Sequence, residues 1–376
     1  MDDPFVVDTV LEASQICNLQ GDADHLLSLL SRGAHVVFFG RRNMGKTSLV
    51  TGRVIPEMRR KNKGLLCVFV DFLGVSSEDE IWLRFRKALQ HALVQTFPSQ
   101  TKLKTIAEGL LRLRPIIQVD TQSGELQINL EAKKSQDTLE DLFLEIAGIH
   151  RKHKVLLVFD EFQDIAHLKG MDARFRSCLQ KLPANFPILI MGSKKHILAD
   201  LFSLPTAPLA GWGIDVEISR IAPEEFAPYL DKRFQLFGKK IALDEVKYLC
   251  EAMQFVPESV LYVCKTLSQD ASISHQIQEK DIDRALKKTA EMRRGRFEES
   301  LQVFSANERR FLKYLATHEP LQSPTSKRFL AEVQLSSGGV LKILKRLENL
   351  GLLYNQKEGW ILSDPLMGRY LREFWT

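Results

Sequence analysis

Gly40-Arg41-Arg42-Asn43-Met44-Gly45-Lys46-Thr47 is the stretch that decides the fold. Its spacing is GxxxxGK[ST], and it stands between an apolar run at 35–39 and a helical stretch at 48–60. The two glycines let the backbone turn tightly with its amides pointing inward, and the positive end of the following helix dipole favours an anion there. In such a loop Lys46 reaches the β- and γ-phosphates of a nucleotide, and the Thr47 hydroxyl ligates magnesium. The expected contacts to ATP or ADP with Mg2+ are therefore Gly40, Arg41, Arg42, Asn43, Met44, Gly45, Lys46, Thr47 and Ser48.

A second motif, Val155-Leu156-Leu157-Val158-Phe159-Asp160-Glu161, is an apolar strand that ends in two acids. Beside a phosphate loop the two have separate tasks. Asp160 orients the magnesium ion, and Glu161 acts as general base on the water that attacks the γ-phosphorus. At the tip of the next apolar run, 187–192, stands Ser193, where a polar side chain would lie between the two motifs and sense the γ-phosphate. The alternative is a strand-end serine beside solvated Lys194 and Lys195. The expected catalytic set is Glu161, Lys46 and Ser193, with Thr47 and Asp160 at the metal.

Working outward, residues 34–220 alternate short apolar runs with longer amphipathic stretches, the pattern of a parallel sheet wrapped by helices. The runs 36–39, 65–71, 155–160 and 188–191 are almost continuously hydrophobic, as strands buried on both faces are. Between the second and third, 116–120 and 126–130 read as a half-buried hairpin about Thr121-Gln122-Ser123-Gly124, with Leu126, Ile128 and Leu130 alternating against Gln127 and Asn129. From about residue 223 helical periodicity takes over, with Pro257 opening a helix and Lys287, Lys288, Arg293, Arg294 and Arg296 forming a basic run. Helical stretches at 307–316, 327–332 and 338–349 precede Leu352-Leu353-Tyr354, a polar turn and Trp360-Ile361-Leu362, the pattern of a winged helix. The expected fold is thus α/β. A P-loop NTPase core with a parallel sheet occupies 1–222, an all-helical lid and basic linker 223–300, and a winged-helix domain 301–376.

The bulk properties agree with this layout. The 376 residues, 44% hydrophobic and 26% charged, suffice for two or three globular domains. No run approaches the roughly 18 apolar residues of a membrane span, and Met1-Asp2-Asp3-Pro4 is acidic where a secretory signal is basic, so a cytoplasmic protein with no membrane partner is expected. The five cysteines (Cys17, Cys67, Cys178, Cys250, Cys264) lack any CxxC pair, which points to reduced core thiols rather than disulfides or zinc. A net charge of +5 permits a nucleic-acid partner without requiring one.

With GRRNMGKTSL, VLLVFDEFQDI and MGS in this order, the chain resembles the archaeal-type ATPases of the STAND/AAA+ superfamily. The likeness extends over most of the chain, including Asp22-Ala23-Asp24-His25-Leu26, Phe162-Gln163-Asp164-Ile165 and Ser363-Asp364-Pro365-Leu366. It implies an ATPase core, a helical lid whose proline, here Pro257, lies near the adenine, and a C-terminal winged helix. Two departures stand out. The family's Gly-Arg pair after the sensor strand is Gly211-Trp212-Gly213 here, so the arginine of a trans-acting finger is missing, and the sequence does not choose among Arg174, Arg176 and Arg220 as substitutes. The lid's Gly-x-Pro is Phe255-Val256-Pro257. Slow hydrolysis and an altered adenine pocket are the expected consequences.

In the last domain, Ser336 or Ser337 caps a helix that Gly351 ends, with Val340, Leu344 and Leu347 on one face. Lys342, Lys345, Arg346 and Asn349 share the other, a stripe suited to duplex DNA, with Lys357 at the wing tip. Residues 301–376 hold 11 Lys/Arg against 7 Asp/Glu, a modest surplus that fits a protein contact or self-association equally well. Two functions stay open: a switch in which ATP re-aims the winged helix, and a DNA-binding or scaffolding module with a structural nucleotide. A small-molecule kinase fits less well, since such enzymes seldom need a catalytic Asp-Glu pair at the strand tip or a winged helix.

Overall fold

The computed structural model describes residues 4–110, 113–119, 126–132 and 139–375. They form two compact units, one of residues 20–40 and 46–218 and the other of 4–19, 41–45 and 219–375.

The first unit is built on a five-stranded sheet. After α1 (Gln20–Ser31) come β1 (His35–Phe39), α2 (Lys46–Leu49), a π-helical turn (Val50–Val54), α3 (Ile55–Lys61) and β2 (Leu66–Asp71). Next are α4 (Glu78–Thr96), α5 (Gln100–Ala107), β3 (Leu113–Val119), β4 (Leu126–Ala132), α6 (Leu139–His150) and β5 (Val155–Asp160). A 3-10 turn (Phe162–His167), α7 (Met171–Leu179), β6 (Ile188–Gly192), α8 (Lys195–Phe202) and β7 (Ile214–Glu217) complete it. The sheet order is β2-β5-β6-β1-β7, and every pair in it is parallel. The four apolar runs are β1, β2, β5 and β6; the central β5 and β6 are buried throughout and β1 and β2 over most of their length. The edge strand β7 was not expected: of Ile214-Asp215-Val216-Glu217 only Val216 is buried, so the segment carries almost no hydrophobic signal.

Phe159, immediately before Asp160, is fully buried among Phe72, Phe85 and Phe175, with ring centroids at 5.4, 5.6 and 5.8 Å. This stacked and edge-on packing fixes the strand whose tip carries the acids. The hairpin β3–β4 is antiparallel, with Val119 opposite Leu126. Ile128 and Leu130 are buried while Gln127 and Asn129 are exposed, and Arg86 of α4 donates to the Leu130 carbonyl at 2.7 Å. Its turn, Thr121-Gln122-Ser123-Gly124, lies outside the described residues.

The second unit is helical up to its last hairpin: α9 (Pro223–Phe234), α10 (Leu243–Ala252), α11 (Pro257–Gln269), α12 (Glu279–Met292) and α13 (Arg294–Gln302). Lys239 is buried and donates to the carbonyls of Leu267, Ser268 and Asp270 at 2.7–2.9 Å, closing the C-terminal end of α11 with a cation. Residues before α1 belong here: the Phe5 ring packs tilted against Phe234 at 4.8 Å, and Tyr229 donates to Gln15 O at 2.6 Å. Then follow α14 (Ala306–His318), α15 (Lys327–Val333), α16 (Ser337–Asn349), β8 (Leu353–Gln356) and β9 (Gly359–Leu362). Serines 305, 326 and 336 cap the three helices. A two-residue turn, Lys357-Glu358, joins the wing strands. A closing helix, α17 (Pro365–Glu373), was not expected; Asp364 caps it, and it packs on α12 and α14. All five cysteines are buried free thiols. Among the described residues no helix is long and apolar enough to cross a membrane.

Candidate nucleotide site

The sheet order decides which residues meet. Because β6 hydrogen-bonds to β1 on one side and β5 on the other, the end of β6 falls between the end of β1 and the end of β5. Glycine at position 40 answers to space: a Cβ there would sit 2.4 Å from Ile218 Cγ2. Downstream, Asn43 and Gly45 take positive φ of 65° and 89°, and the chain enters α2 at Lys46. Lys46 is buried, and its ammonium donates to Gly40 O at 2.8 Å, drawing it back over its own loop. Met44 and Ser48 are also buried, whereas Arg42 and Asn43 are exposed.

Thr47 Oγ1 donates to Asp160 Oδ2 at 2.7 Å, and Asp160 Oδ1 accepts from Glu161 N at 2.9 Å. Burial pushes the Asp160 carboxyl up to about 6, against the pull of the Thr47 hydroxyl, and the Glu161 charge adds to the rise. A hydroxyl beside a buried carboxylate is a set of hard oxygen donors, which suits magnesium, and the turned loop suits phosphate. The residues present therefore fit a magnesium nucleotide.

Glu161 holds a left-handed backbone, φ 48°, a costly conformation for a residue with a side chain. Its carboxylate is tied down: Oε2 accepts from Ser193 Oγ at 2.9 Å and from the Gln163 amide. Sequence reasoning gave Gln163 no task. It is 2% exposed in the turn just after the acids, and it explains the glycine before Ser193, because a Cβ on Gly192 would come within 2.2 Å of Gln163 Oε1. Asp164 joins neighbouring loops by accepting from Gly74 N at 2.9 Å and pairing with Lys194 at 3.3 Å.

Arg41 points elsewhere in the second unit. Its guanidinium, 7% exposed, donates to the carbonyls of Leu362 (2.5 Å) and Ser363 (3.0 Å) at the end of β9 and to Gln254 Oε1 (2.8 Å). Burial pushes it down to about 10, opposed by the charges of Glu319 and Asp364, so it is a cation at neutral pH. Gln254 and Phe255 both have positive φ, 49° and 58°, just before Pro257 opens α11. Phe255 thus occupies, under strain, the conformation that glycine gives freely in a Gly-x-Pro.

Trp212 is buried and stacks on His35 at 4.7 Å. Arg174 is paired with Glu78, and Arg220 lies over the Phe255 ring at 5.4 Å with a bond to Gln356. On α16, Val340, Leu344 and Leu347 are buried and Lys342 and Lys345 exposed, but Arg346 pairs with the buried Glu308 at 2.6 Å. One charge of the stripe is therefore partly spent inside its own domain.

Residues 295–373 match a protein-family model described as "Probable winged helix domain". No curated protein matches the chain. Among solved structures, a Walker-type ATPase of Pyrococcus abyssi aligns over 98% of this chain and 99% of its own, with 17% identity and a TM-score of 0.68. The ORC2 protein of Aeropyrum pernix, in its ADPNP–ADP complexes, aligns over 99% and 96% with 13% identity and a TM-score of 0.55. The fold, a five-stranded parallel α/β core with helices and a C-terminal winged helix, is similar to that of these two proteins.

A carboxyl whose folded pKa is raised binds more protons folded than unfolded between about 3.8 and 6, so stability falls as pH rises through that window. Above it the full cost is present, about 3 kcal/mol. Asp160→Asn removes that cost but also one acceptor, so it should stabilise the nucleotide-free protein by roughly 1–2 kcal/mol at pH 7.5, with the gain shrinking toward pH 5. Urea unfolding across this pH range checks it; a destabilised variant at pH 7.5 contradicts it.

Proposed function

We propose that the chain is an ATP-binding, ATP-hydrolysing molecular switch whose nucleotide state positions a winged-helix domain for DNA or for a protein partner. The observation that carries the reading is Arg41, a residue of the phosphate loop that hydrogen-bonds the carbonyls closing the winged-helix hairpin. When the loop re-forms around phosphate, those three donors must either follow or let go, and a buried guanidinium that lets go leaves polar groups unpaired. That is a differential free energy between nucleotide states, which any ligand-driven shift requires.

The roles follow the chemistry. In this reading the amides of 40–48 and the Lys46 ammonium hold the phosphates, Thr47 and Asp160 hold magnesium, and Pro257 borders the adenine. Magnesium supplies charge neutralisation on the β- and γ-phosphates when bound. Glu161 takes the proton of the attacking water, and Ser193 reports the γ-phosphate. The exchange of the Glu161 carboxylate's bonds with Ser193 and Gln163 for a bond to water is a step that makes turnover slow. The domains are 1–222, 223–300 and 301–376, Lys342, Lys345 and Arg346 face duplex DNA, and the setting is cytoplasmic. The second reading, a DNA-binding or scaffolding module with structural nucleotide, is favoured by Lys46 being turned back onto Gly40 O.

Lys46→Ala should greatly weaken ATP binding without unfolding the protein, and Glu161→Gln should keep binding while phosphate release falls roughly 10²–10⁴-fold. Calorimetry and phosphate-release assays, with and without duplex DNA, decide. Wild-type turnover surviving in Glu161→Gln excludes it as base, and no wild-type turnover under any condition gives the lead to the scaffolding reading. Arg41→Ala should still bind ATP but lose any difference in DNA affinity between ATP and ADP states. A difference that persists in this variant removes Arg41 from the coupling.

A further inference from the structure

The sheet of the first unit has a second end, opposite the strand tips that carry Asp160 and Ser193. There the chain enters its strands, and the entrances are basic. Arg32 precedes β1, Arg59-Arg60-Lys61-Asn62-Lys63 closes α3 and leads to β2, and Arg151-Lys152-His153-Lys154 leads to β5. These ten residues hold eight cations and no acid, while the whole chain is net +5, so everything outside them is net −3. These ten residues thus place a local charge of +8 at one end of the sheet.

Backbone bonds align the entrances. Leu66 N donates to Lys154 O at 2.9 Å and Ile188 N to Ala34 O at 3.4 Å, so the starts of β2, β5, β6 and β1 form one row. At about 4.8 Å per strand, the row spans roughly 14 Å. Arg32, Lys61, His150 and Lys154 line a single cavity of about 360 Å³ in it, with Asn62 and Asn185. Burial and the Lys154 charge hold the His150 imidazole below its ordinary value, as a positive surrounding should.

Helix C-termini favour cations, which accounts for a residue or two at the ends of α1, α3 and α6. It does not account for runs that continue past those ends to Lys63, Lys152 and Lys154, since the dipole effect fades within a turn. Among the described residues, only two of the eight cations have side-chain partners within the protein. Arg60 pairs with Glu57, and Arg59 donates to Gln95. Among the described residues Arg32, Lys61, Lys63, Arg151, Lys152 and Lys154 enter no ion pair, and all six are exposed. Clustered, unpaired like charge costs stability, which a polyanion crossing the edge would offset.

We propose that this edge is a nucleic-acid surface that grips the phosphodiester backbone of a duplex without reading its sequence. The ring nearest these cations in the chain, His153, is half-buried against Phe97 at 5.0 Å, so it offers bases no stacking platform. Point charges on three separate loops match phosphates in a row, and such contacts set affinity and salt dependence rather than sequence preference. The surface lies on the ATPase core and is independent of the winged-helix stripe.

The test is a titration of the full chain with a random-sequence duplex of about 30 base pairs at several salt concentrations. Arg32→Ala/Lys61→Ala/Lys154→Ala changes exposed side chains only. It should bind roughly tenfold or more weaker at low salt, with the log–log salt slope shallower by up to about 2.7, and with ATP affinity unchanged. Added to Lys342→Ala/Lys345→Ala, it should lower affinity further, which separates this edge from the winged helix. Unchanged affinity and slope in the edge variant overturn the proposal, as does a wild type that binds no duplex. Loss of binding to phosphatidylserine vesicles with duplex binding intact overturns it too, in favour of a membrane surface.

Discussion

A single hydrogen bond, from Thr47 Oγ1 to Asp160 Oδ2 at 2.7 Å, joins segments 113 residues apart, and the rest of the site is arranged around it. It exists because β1 and β5 end at the same edge of one parallel sheet with β6 between them. That order puts Ser193 beside Glu161 and gives Gln163 the space above Gly192. The aromatic packing of Phe159 behind Asp160 then keeps the acid at the tip instead of letting it relax into solvent. The raised Asp160 carboxyl is the cost of that placement, and a divalent cation bound there would relieve it.

Three hydrogen bonds from Arg41 give the loop a second set of partners. Residues 41–45 group with the mostly helical second unit rather than with the sheet they follow in sequence. Arg41 is the reason, since its buried guanidinium has carbonyl partners at Leu362 and Ser363 and an amide partner at Gln254. Gln254 and Phe255 hold left-handed backbone next to that contact, so strain and polar pairing meet at the same point.

Features with dense local signals were legible in the sequence, and features that depend on distant partners were not. The phosphate loop, the acid-tipped strand and the four apolar strands each carry their pattern within ten residues. The wing strands and the three capped helices before them read equally well. Strand β7 escaped because an edge strand needs to bury little, and only Val216 does so. Helix α17 begins at Asp364-Pro365, an N-cap followed by proline, a start signal that is local and short. The fit of Gln163 against Gly192, the direction of Arg41 and the pairing of Arg346 with Glu308 are set by groups tens to hundreds of residues away, which no local pattern encodes. The loss of glycine at Phe255 was visible, but its meaning, a phenylalanine held at positive φ, required the backbone.

The central claim is that Thr47 and Asp160 form the metal half of a nucleotide site whose other half is the phosphate loop. Calorimetric titration of the wild-type chain with ATP, once with magnesium and once with the metal chelated, tests it most directly. The account predicts binding with magnesium and a marked loss of affinity without it, and Thr47→Ala should show little difference between the two conditions. ATP binding that is indifferent to magnesium in the wild type, or no binding in either condition, would contradict it.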